Sequence, residues 1–239
     1  MAKEYRIGLL VPSSNTTVEP EFYRALPRDV TLHCARMFLQ RISTDSIERT
    51  AEDVERESRG LASADVDVVV LGATAPSFIK GLGYDREMCA RIEKACGKPA
   101  TTTSTGLIEG LRTLGIRRIS LGSAYDDKVN GICANFLEAS GFEVVAKEGL
   151  GLVDNLVVGR LDVQTAYDMG RRIDRPQTEA IVLACTNWRT MDAIDRLERD
   201  LGKPVLTTTQ VSIWAALRRI GYPAGVPGYG RLLREHVAA

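Results

Sequence analysis

Histidine is almost absent from this chain of 239 residues, which contains only two. His33 lies in an apolar, strand-like segment and His236 lies near the C-terminus, so we do not expect a histidine base. The five cysteines are an odd number and form no C-x-x-C pair, which argues against a zinc site and against a disulfide framework. They are Cys34, Cys89, Cys96, Cys133 and Cys185. We therefore expect free thiols and no metal.

The chain also lacks an excess of charge of either sign, because 31 Lys and Arg balance 31 Asp and Glu. A nucleic-acid or membrane-surface partner would need a clustered basic field. No apolar run approaches the roughly 18 residues of a membrane span, and the segment before Pro12 lacks the pattern of a secretory signal. We expect a cytoplasmic protein with neither kind of partner. A homo-oligomer is compatible with this composition.

Phosphate-binding motifs are missing as well. There is no G-x-x-x-x-G-K-[ST] sequence, and no G-x-G-x-x-G follows the first apolar segment. We therefore expect no phosphate-bearing cofactor.

Short apolar segments rich in β-branched residues alternate with helical patterns, which indicates an α/β fold with parallel sheets. The predicted strands are Arg6–Val11, Val30–Met37, Val66–Leu71, Ala100–Thr103, Arg118–Ser123, Glu143–Lys147, Ala180–Ala184 and Pro204–Thr207. The predicted helices include Thr44–Ala64, Asp85–Cys96, Gly106–Thr113, Asp126–Ser140, Val163–Ile173 and Thr190–Leu201.

The two halves of the sequence resemble each other. Gly97–Gly115 (GKPATTTSTGLIEGLRTLG) matches Gly202–Gly221 (GKPVLTTTQVSIWAALRRIG), and the strand Val66–Leu71 matches Ala180–Ala184. A repeat this long indicates duplicated domains, because solenoid units recur about every 20–50 residues. We predict two similar Rossmann- or flavodoxin-like domains, one formed by 1–112 with 213–239 and the other by 113–212. A ligand is expected in the cleft between them.

Cys185 has the most informative position in the chain. It follows the apolar run Ile181–Ala184 directly and precedes Thr186-Asn187 and a helical pattern. A thiol at a strand-to-helix junction faces helix amides that lower its pKa. With histidine disfavoured, Cys185 is the best candidate for proton transfer or covalent chemistry, with an ordinary core cysteine as the alternative. The other cysteines fall in helices or a strand and are expected to pack as small hydrophobic residues.

Small polar residues concentrate in five loops that follow predicted strands. Many of these residues are expected to cap helices, but together they would also surround an anion with hydrogen-bond donors. The loops are Pro12–Thr17, Ala73–Ser77, Thr101–Thr105, Ser123–Asp126 and Cys185–Asn187. Among aromatic residues, Trp188 is the best candidate for a wall of this pocket.

The duplicated halves, each with a loop where a cysteine is expected, resemble the aspartate/glutamate racemase superfamily. Within it the chain is similar to the branch of arylmalonate decarboxylases and maleate cis–trans isomerases. The most specific segments are Val11–Thr17, Thr101–Asn130, Ala184–Ile194 and Pro227–Leu233. The resemblance implies catalysis by Cys185 without a cofactor on a small dicarboxylate. It implies substrate binding by Asn15, Thr74, Ala75, Tyr125, Asn155, Thr186 and Asn187.

The two groups of relatives differ at Ala73, which takes the place of the first cysteine of the isomerases. A single cysteine in the second half is typical of the decarboxylases, whereas Asn15, Asn155 and Asn187 are more like the isomerases. The leading hypothesis is decarboxylation of a substituted malonate-like diacid, with Cys185 protonating the enediolate. A maleate isomerase is the alternative, especially if Ala73 replaces a cysteine. A carboxylate-binding protein without turnover is the third reading.

Overall fold

Two parallel four-stranded sheets form the framework of the protein. The structure, a computed structural model, describes residues 4–39, 41, 43, 45–47 and 53–238. The first sheet has the order β2-β1-β3-β4 and the second the order β6-β5-β7-β8. The strands are β1 Tyr5–Pro12, β2 Val30–Met37, β3 Val68–Leu71, β4 Ala100–Thr102, β5 Arg118–Ser123, β6 Glu143–Gly149, β7 Ala180–Ala184 and β8 Val205–Thr207.

The inner strands of each sheet are covered on both faces, as their continuous apolar sequences predict. All four residues of β3 and all five of β7 are buried. The register pairs Leu10 with Leu71 in the first sheet and Ser123 with Ala184 in the second. The carboxyl ends of the inner strands therefore carry their loops to one edge of each sheet.

Helices cover the sheets, and none in the described part of the chain is both long and apolar enough to cross a membrane. We number them α1 Val18–Ala25, α2 Val54–Ala62, α3 Thr74–Phe78, α4 Tyr84–Cys96, α5 Thr103–Thr113, α6 Asp127–Ala139, α7 Asn155–Val158, α8 Val163–Ile173, α9 Ile194–Leu201, α10 Thr208–Arg219 and α11 Gly230–Glu235, with a 3-10 turn at Met191–Ala193.

The duplicated threonine-rich segments have the same local role in each half. The Thr102 hydroxyl caps α5 by accepting from the Thr105 amide, and the Thr207 hydroxyl caps α10 by accepting from the Gln210 amide. Each strand thus passes directly into a helix, because its last threonine supplies the cap.

The helices α5 and α10 also join the two halves. A Cβ atom on Gly106 would lie 2.7 Å from the Val211 carbonyl oxygen, so only glycine permits this close approach. Beside it, the Thr103 and Ser212 hydroxyls share a hydrogen bond of 2.9 Å. The repeat therefore provides both the pair of sheets and the contact between them.

All eight predicted strands are confirmed, with shifts of one or two residues at some ends. The sequence prediction did not include α1, α3, α7, α10 and α11. Part of the predicted helix Thr44–Ala64 lies outside the described residues, and α2 occupies its C-terminal portion. The division into 1–112 with 213–239 and 113–212 stays a prediction.

Candidate active site

Loops from both sheets meet in one cleft, which contains a cavity of about 30 Å³. The lining residues come from the segments after β1, β2, β3, β5, β6 and β7. They are Pro12, Asn15, Leu39, Ile47, Ala73, Thr74, Ala75, Pro76, Tyr125, Asn155, Cys185, Thr186 and Asn187. Cys185 and the seven residues for which the family resemblance implies substrate binding therefore lie in the same cleft.

Cys185 enters this cleft from the end of β7. Its side chain is buried, with 5% of the residue exposed. Its φ of +155° is one that residues with a Cβ rarely adopt. Two hydrogen bonds hold this backbone: the Cys185 amide donates to Thr208 Oγ1 (3.1 Å), and its carbonyl accepts from the Trp188 amide (3.0 Å). The thiol is thus placed by backbone bonds to a turn and to the start of α10.

Burial raises the pKa of the Cys185 thiol to about 11. The Asn187 amide, the Tyr125 hydroxyl and the Trp188 amide oppose this shift by donating to the thiolate, but loss of solvent outweighs them. The prediction that a helix start lowers this pKa is wrong. The backbone after Cys185 forms a turn, and helical structure begins only at Met191. The thiol is accordingly neutral near pH 7 and suited to donate a proton.

Tyr125 and Thr74 present hydroxyl groups beside the thiol. Burial, followed by the nearby Cys185 and Cys133, raises the pKa of Tyr125 well above its ordinary value, so its hydroxyl is a donor at neutral pH. The nearby Thr74 hydroxyl opposes this rise in pKa. Thr74 Oγ1 is buried, and its geometry gives it no hydrogen-bond partner among the described residues. It is therefore available to a ligand.

The described residues of the first half that line the cleft include no acid or base. Ala73 and Ala75 line it from the start of α3, with 1% and 4% of each residue exposed. Among the described lining residues, only Cys185 and Tyr125 carry an ionisable side chain. Both of these ionisable side chains are contributed by the second half.

The loop after β1 is tied to the loop after β7 by Asn15 and Thr186. Asn15 Nδ2 donates to Thr186 Oγ1 (3.2 Å), and the Thr186 hydroxyl donates to the Gly72 carbonyl (3.1 Å). The other side of the Asn15 amide caps α1, because Oδ1 accepts from the backbone amides of Thr17 and Val18. These side chains hold the two halves together at the cleft.

Asn187 and Asn155 extend this network. Asn187 Oδ1 accepts from the Thr16 amide (2.9 Å), and its Nδ2 donates to the Asn155 carbonyl (2.6 Å). Asn155 Nδ2 donates to Ser14 Oγ (2.8 Å). The amides that line the cleft are therefore already engaged in bonds that fix its shape.

Comparison with known proteins gives a consistent relationship over almost the whole chain. A family model described as arylmalonate decarboxylase matches residues 7–233. The chain belongs to this family. It is 33% identical to the arylmalonate decarboxylase of Bordetella bronchiseptica, with 96% of each chain covered. It is 30% identical to the maleate isomerase of Geobacillus stearothermophilus, with 98% of each covered. The structure of a cysteine-to-alanine variant of the maleate isomerase of Pseudomonas putida S16 with maleate superposes with a TM-score of 0.94, at 28% identity over 98% of this chain and 99% of that one.

Membership of the arylmalonate decarboxylase family confirms the resemblance drawn from the sequence and makes the protein an enzyme of this family. Both activities are represented among relatives at about 30% identity. The name of the family therefore does not choose between decarboxylation and isomerisation.

Some sequence expectations do not fit the site of this family member. The loop Thr101–Thr105 does not line the cleft, because Thr103 is bonded to the Leu71 carbonyl and to Ser212. Trp188 is fully buried outside the cleft lining, so its predicted role as a wall is wrong. The sequence reasoning missed Leu39 and Ile47, which supply apolar surface. No local pattern in the segment that follows β2 marks them, because it alternates between apolar and polar residues without a clear period.

Proposed function

We propose that the protein decarboxylates a small substituted malonate-like diacid and protonates the product from one face. One observation carries this proposal. Cys185 is a buried thiol with a raised pKa that lines the cleft from the second half, while the first half contributes Ala73. A racemase needs an acid and a base on opposite faces of its substrate, whereas a decarboxylase needs a single proton donor.

One carboxylate of the substrate would lie among the donors of Thr74, Tyr125 and the backbone amides near Ala75 and Thr186. The Thr74 hydroxyl supports this placement, since it is buried in the cleft wall without a partner. Donors fixed before the reaction stabilise the enediolate at no cost of reorganisation. Each such donor is worth about 3 kcal/mol in the transition state.

The second carboxylate would leave in the apolar part of the cleft. Pro12, Leu39, Ile47 and Pro76 line the cleft with carbon atoms. An apolar environment disfavours a carboxylate and favours uncharged carbon dioxide. The carbon–carbon bond to that carboxylate breaks, and its electron pair moves into the enediolate held by the donors. The carbanion carbon then takes the proton of the Cys185 thiol, and the thiolate regains a proton from solvent.

The activity is tested by incubating the protein with phenylmalonate in heavy water and following the proton NMR spectrum. The proposal predicts phenylacetate with one deuterium at the α-carbon. Repeating the reaction with a methyl-substituted phenylmalonate, whose product is chiral, tests protonation from one face. Absence of either product while the protein is folded would contradict the proposal.

Isomerisation of maleate is the second candidate, favoured by the three cleft asparagines and by the maleate isomerases among the relatives. It requires a nucleophile that adds to the double bond. Ala73 does not supply one, so Cys185 would have to take this role. Adding maleate to the same NMR experiment separates the candidates, because fumarate would indicate isomerisation. If neither product forms, a carboxylate-binding protein without turnover is favoured.

A further inference from the structure

A buried carboxylate lies behind the Cys185 loop, outside the cleft lining. Glu21 belongs to α1 of the first half, and only 1% of it is exposed. Its Oε1 accepts from the backbone amides of Thr190 (3.2 Å) and Met191 (3.3 Å) in the second half. Carboxylates are rarely fully buried unless they are paired, so a role for Glu21 needs an explanation that the proposed reaction does not give.

The two ends of the loop from Cys185 to Met191 are held by neighbouring groups. At its start, the Cys185 amide donates to Thr208 Oγ1. At its end, Glu21 holds the Thr190 and Met191 amides. The adjacent Thr209 acts on Glu21 through a hydrogen bond that favours the carboxylate. The first turn of α10 and one carboxylate of α1 therefore clamp the segment that carries the thiol.

We propose that Glu21 is a positioning residue for Cys185: its carboxyl group fixes the thiol-bearing loop by accepting from the Thr190 and Met191 amides. This inference rests on the proposed catalytic role of Cys185. Glu21 Oε2 and the Thr190 hydroxyl are buried and have no hydrogen-bond partner among the described residues. An ionised carboxylate in such a setting is poorly stabilised, because too few donors compensate for the water that it has lost.

The charged groups around Glu21 reinforce this reading. Burial raises the pKa of Glu21 to about 7, against opposing hydrogen bonds from Thr209 and Met191 and the positive charge of Arg24, while Asp192 raises it further. Arg24 and Asp192 form an exposed ion pair of 3.4 Å across the same contact between α1 and the 3-10 turn. Tyr229 is the other ionisable side chain that interacts with Glu21.

Linkage gives the direction of the effect. An opening that admits water returns the carboxyl group towards its ordinary pKa of 4.5, so opening becomes easier as the pH rises from 4.5 to about 7. Protection of the Thr190 and Met191 amides against hydrogen exchange is therefore expected to fall by about ten- to a hundredfold over this interval. Glu21→Gln keeps a carbonyl acceptor that does not ionise, so its protection is expected to stay constant with pH.

The test is amide exchange of the substrate-free protein by NMR from pH 5 to 7.5, combined with kinetics. Glu21→Ala is expected to lose protection at Thr190 and Met191 at every pH. It should also lower kcat on the order of tenfold, with KM within about twofold, and reduce the enantiomeric excess, because a misplaced donor slows proton delivery. Glu21→Gln should restore kcat and stereochemistry. Glu19→Gln is the control: this carboxylate of the same helix is paired with Arg36 instead.

Unchanged protection in Glu21→Ala would overturn the proposal whether or not malonates are decarboxylated. Lost protection with unaltered kcat and stereochemistry would overturn it too, because Glu21 would then be an anchor without effect on the thiol. If Glu21→Ala does not fold, the test rests on how amide protection at Thr190 and Met191 depends on pH in Glu21→Gln. The same fall in protection as in the wild-type protein would refute the role of ionisation.

Discussion

Asn15 Nδ2 donates to Thr186 Oγ1 over 3.2 Å and so joins the loop after the first strand to the residue that follows the candidate catalytic thiol. The same Thr186 hydroxyl donates to the Gly72 carbonyl, immediately before Ala73. One threonine therefore ties the position of Cys185 to the opposite half of the cleft. A site built this way has little freedom to vary the distance between its two walls.

The thiol of Cys185 is predicted to be the proton donor. Cys185→Ala should reduce decarboxylation by about 10²–10⁴-fold, the usual contribution of a positioned acid. Cys133→Ala, in which a buried helix cysteine outside the cleft lining is changed, is the matched control and should retain activity. Full turnover by Cys185→Ala, measured as release of carbon dioxide, would exclude this mechanism.

A second thiol at position 73 should abolish stereocontrol. Ala73→Cys places an acid on the wall contributed by the first half, so we expect the enantiomeric excess to fall towards zero. Ala73→Ser is the control, because a hydroxyl of similar size is too weak an acid to protonate the intermediate. Chiral chromatography of the product measures the effect. An unchanged excess in Ala73→Cys would mean that position 73 does not face the reacting carbon.

The number of hydroxyl donors around the bound carboxylate should set the rate. Thr74→Val removes one donor and is expected to lower kcat/KM by about 10²-fold, from the typical worth of an oxyanion donor. Ala75→Ser adds a hydroxyl at the next position and should raise kcat/KM. Thr178→Val, which alters a buried threonine outside the cleft lining, controls for general loss of packing. Equal rates for all variants would contradict a carboxylate site at Thr74.

The high pKa of Cys185 predicts a flat pH profile on the basic side. Burial keeps the thiol protonated up to about pH 11, so the donor is not lost between pH 7 and 9.5. We expect kcat to stay constant across that range in Glu21→Gln, in which the carboxyl group behind the loop no longer ionises. A basic limb with a midpoint near pH 8.5 that disappears in Cys185→Ala would show that the thiolate forms much earlier than its burial implies.

The raised pKa of Glu21 makes the free energy of unfolding depend on pH. Below about pH 4.5 the carboxyl is neutral in the folded and unfolded states. Between 4.5 and about 7 the unfolded chain releases the proton that the folded protein keeps, so stability falls, by about 3 kcal/mol in total. Glu21→Gln should remove this part of the pH dependence, as measured by urea unfolding. If the free energy of unfolding fell equally with pH in the wild-type protein and in Glu21→Gln, a raised pKa of Glu21 would be contradicted.

The sequence predicted the strands well because their pattern is local. The buried strands β3 and β7 have continuous apolar sequences, and a parallel sheet brings the loops after its strands to one edge. That rule is sufficient to bring Thr74, Tyr125 and Cys185 together. It also explains why Cys185 and the seven residues predicted to bind substrate line one cleft.

Other features depend on packing between distant segments and leave no local signal. Leu39 reaches the cleft because of the path of its loop, and Trp188 is turned away from it although it lies three residues after Cys185. The position of Cys185 before a predicted helix indicated a lowered thiol pKa. Burial of the thiol between the two halves raises this pKa instead. Glu21 escaped notice because its partners, Thr190 and Met191, are backbone amides about 170 positions away.

The most direct test of the central claim is the stereochemistry of decarboxylation in heavy water. The wild-type protein is incubated with a methyl-substituted phenylmalonate, and the product is analysed for enantiomeric excess and for deuterium at the α-carbon. One-sided protonation by Cys185 predicts a single enantiomer that carries one deuterium. A racemic product would contradict the one-sided site, and formation of fumarate from maleate with no decarboxylation would replace the proposed reaction with isomerisation.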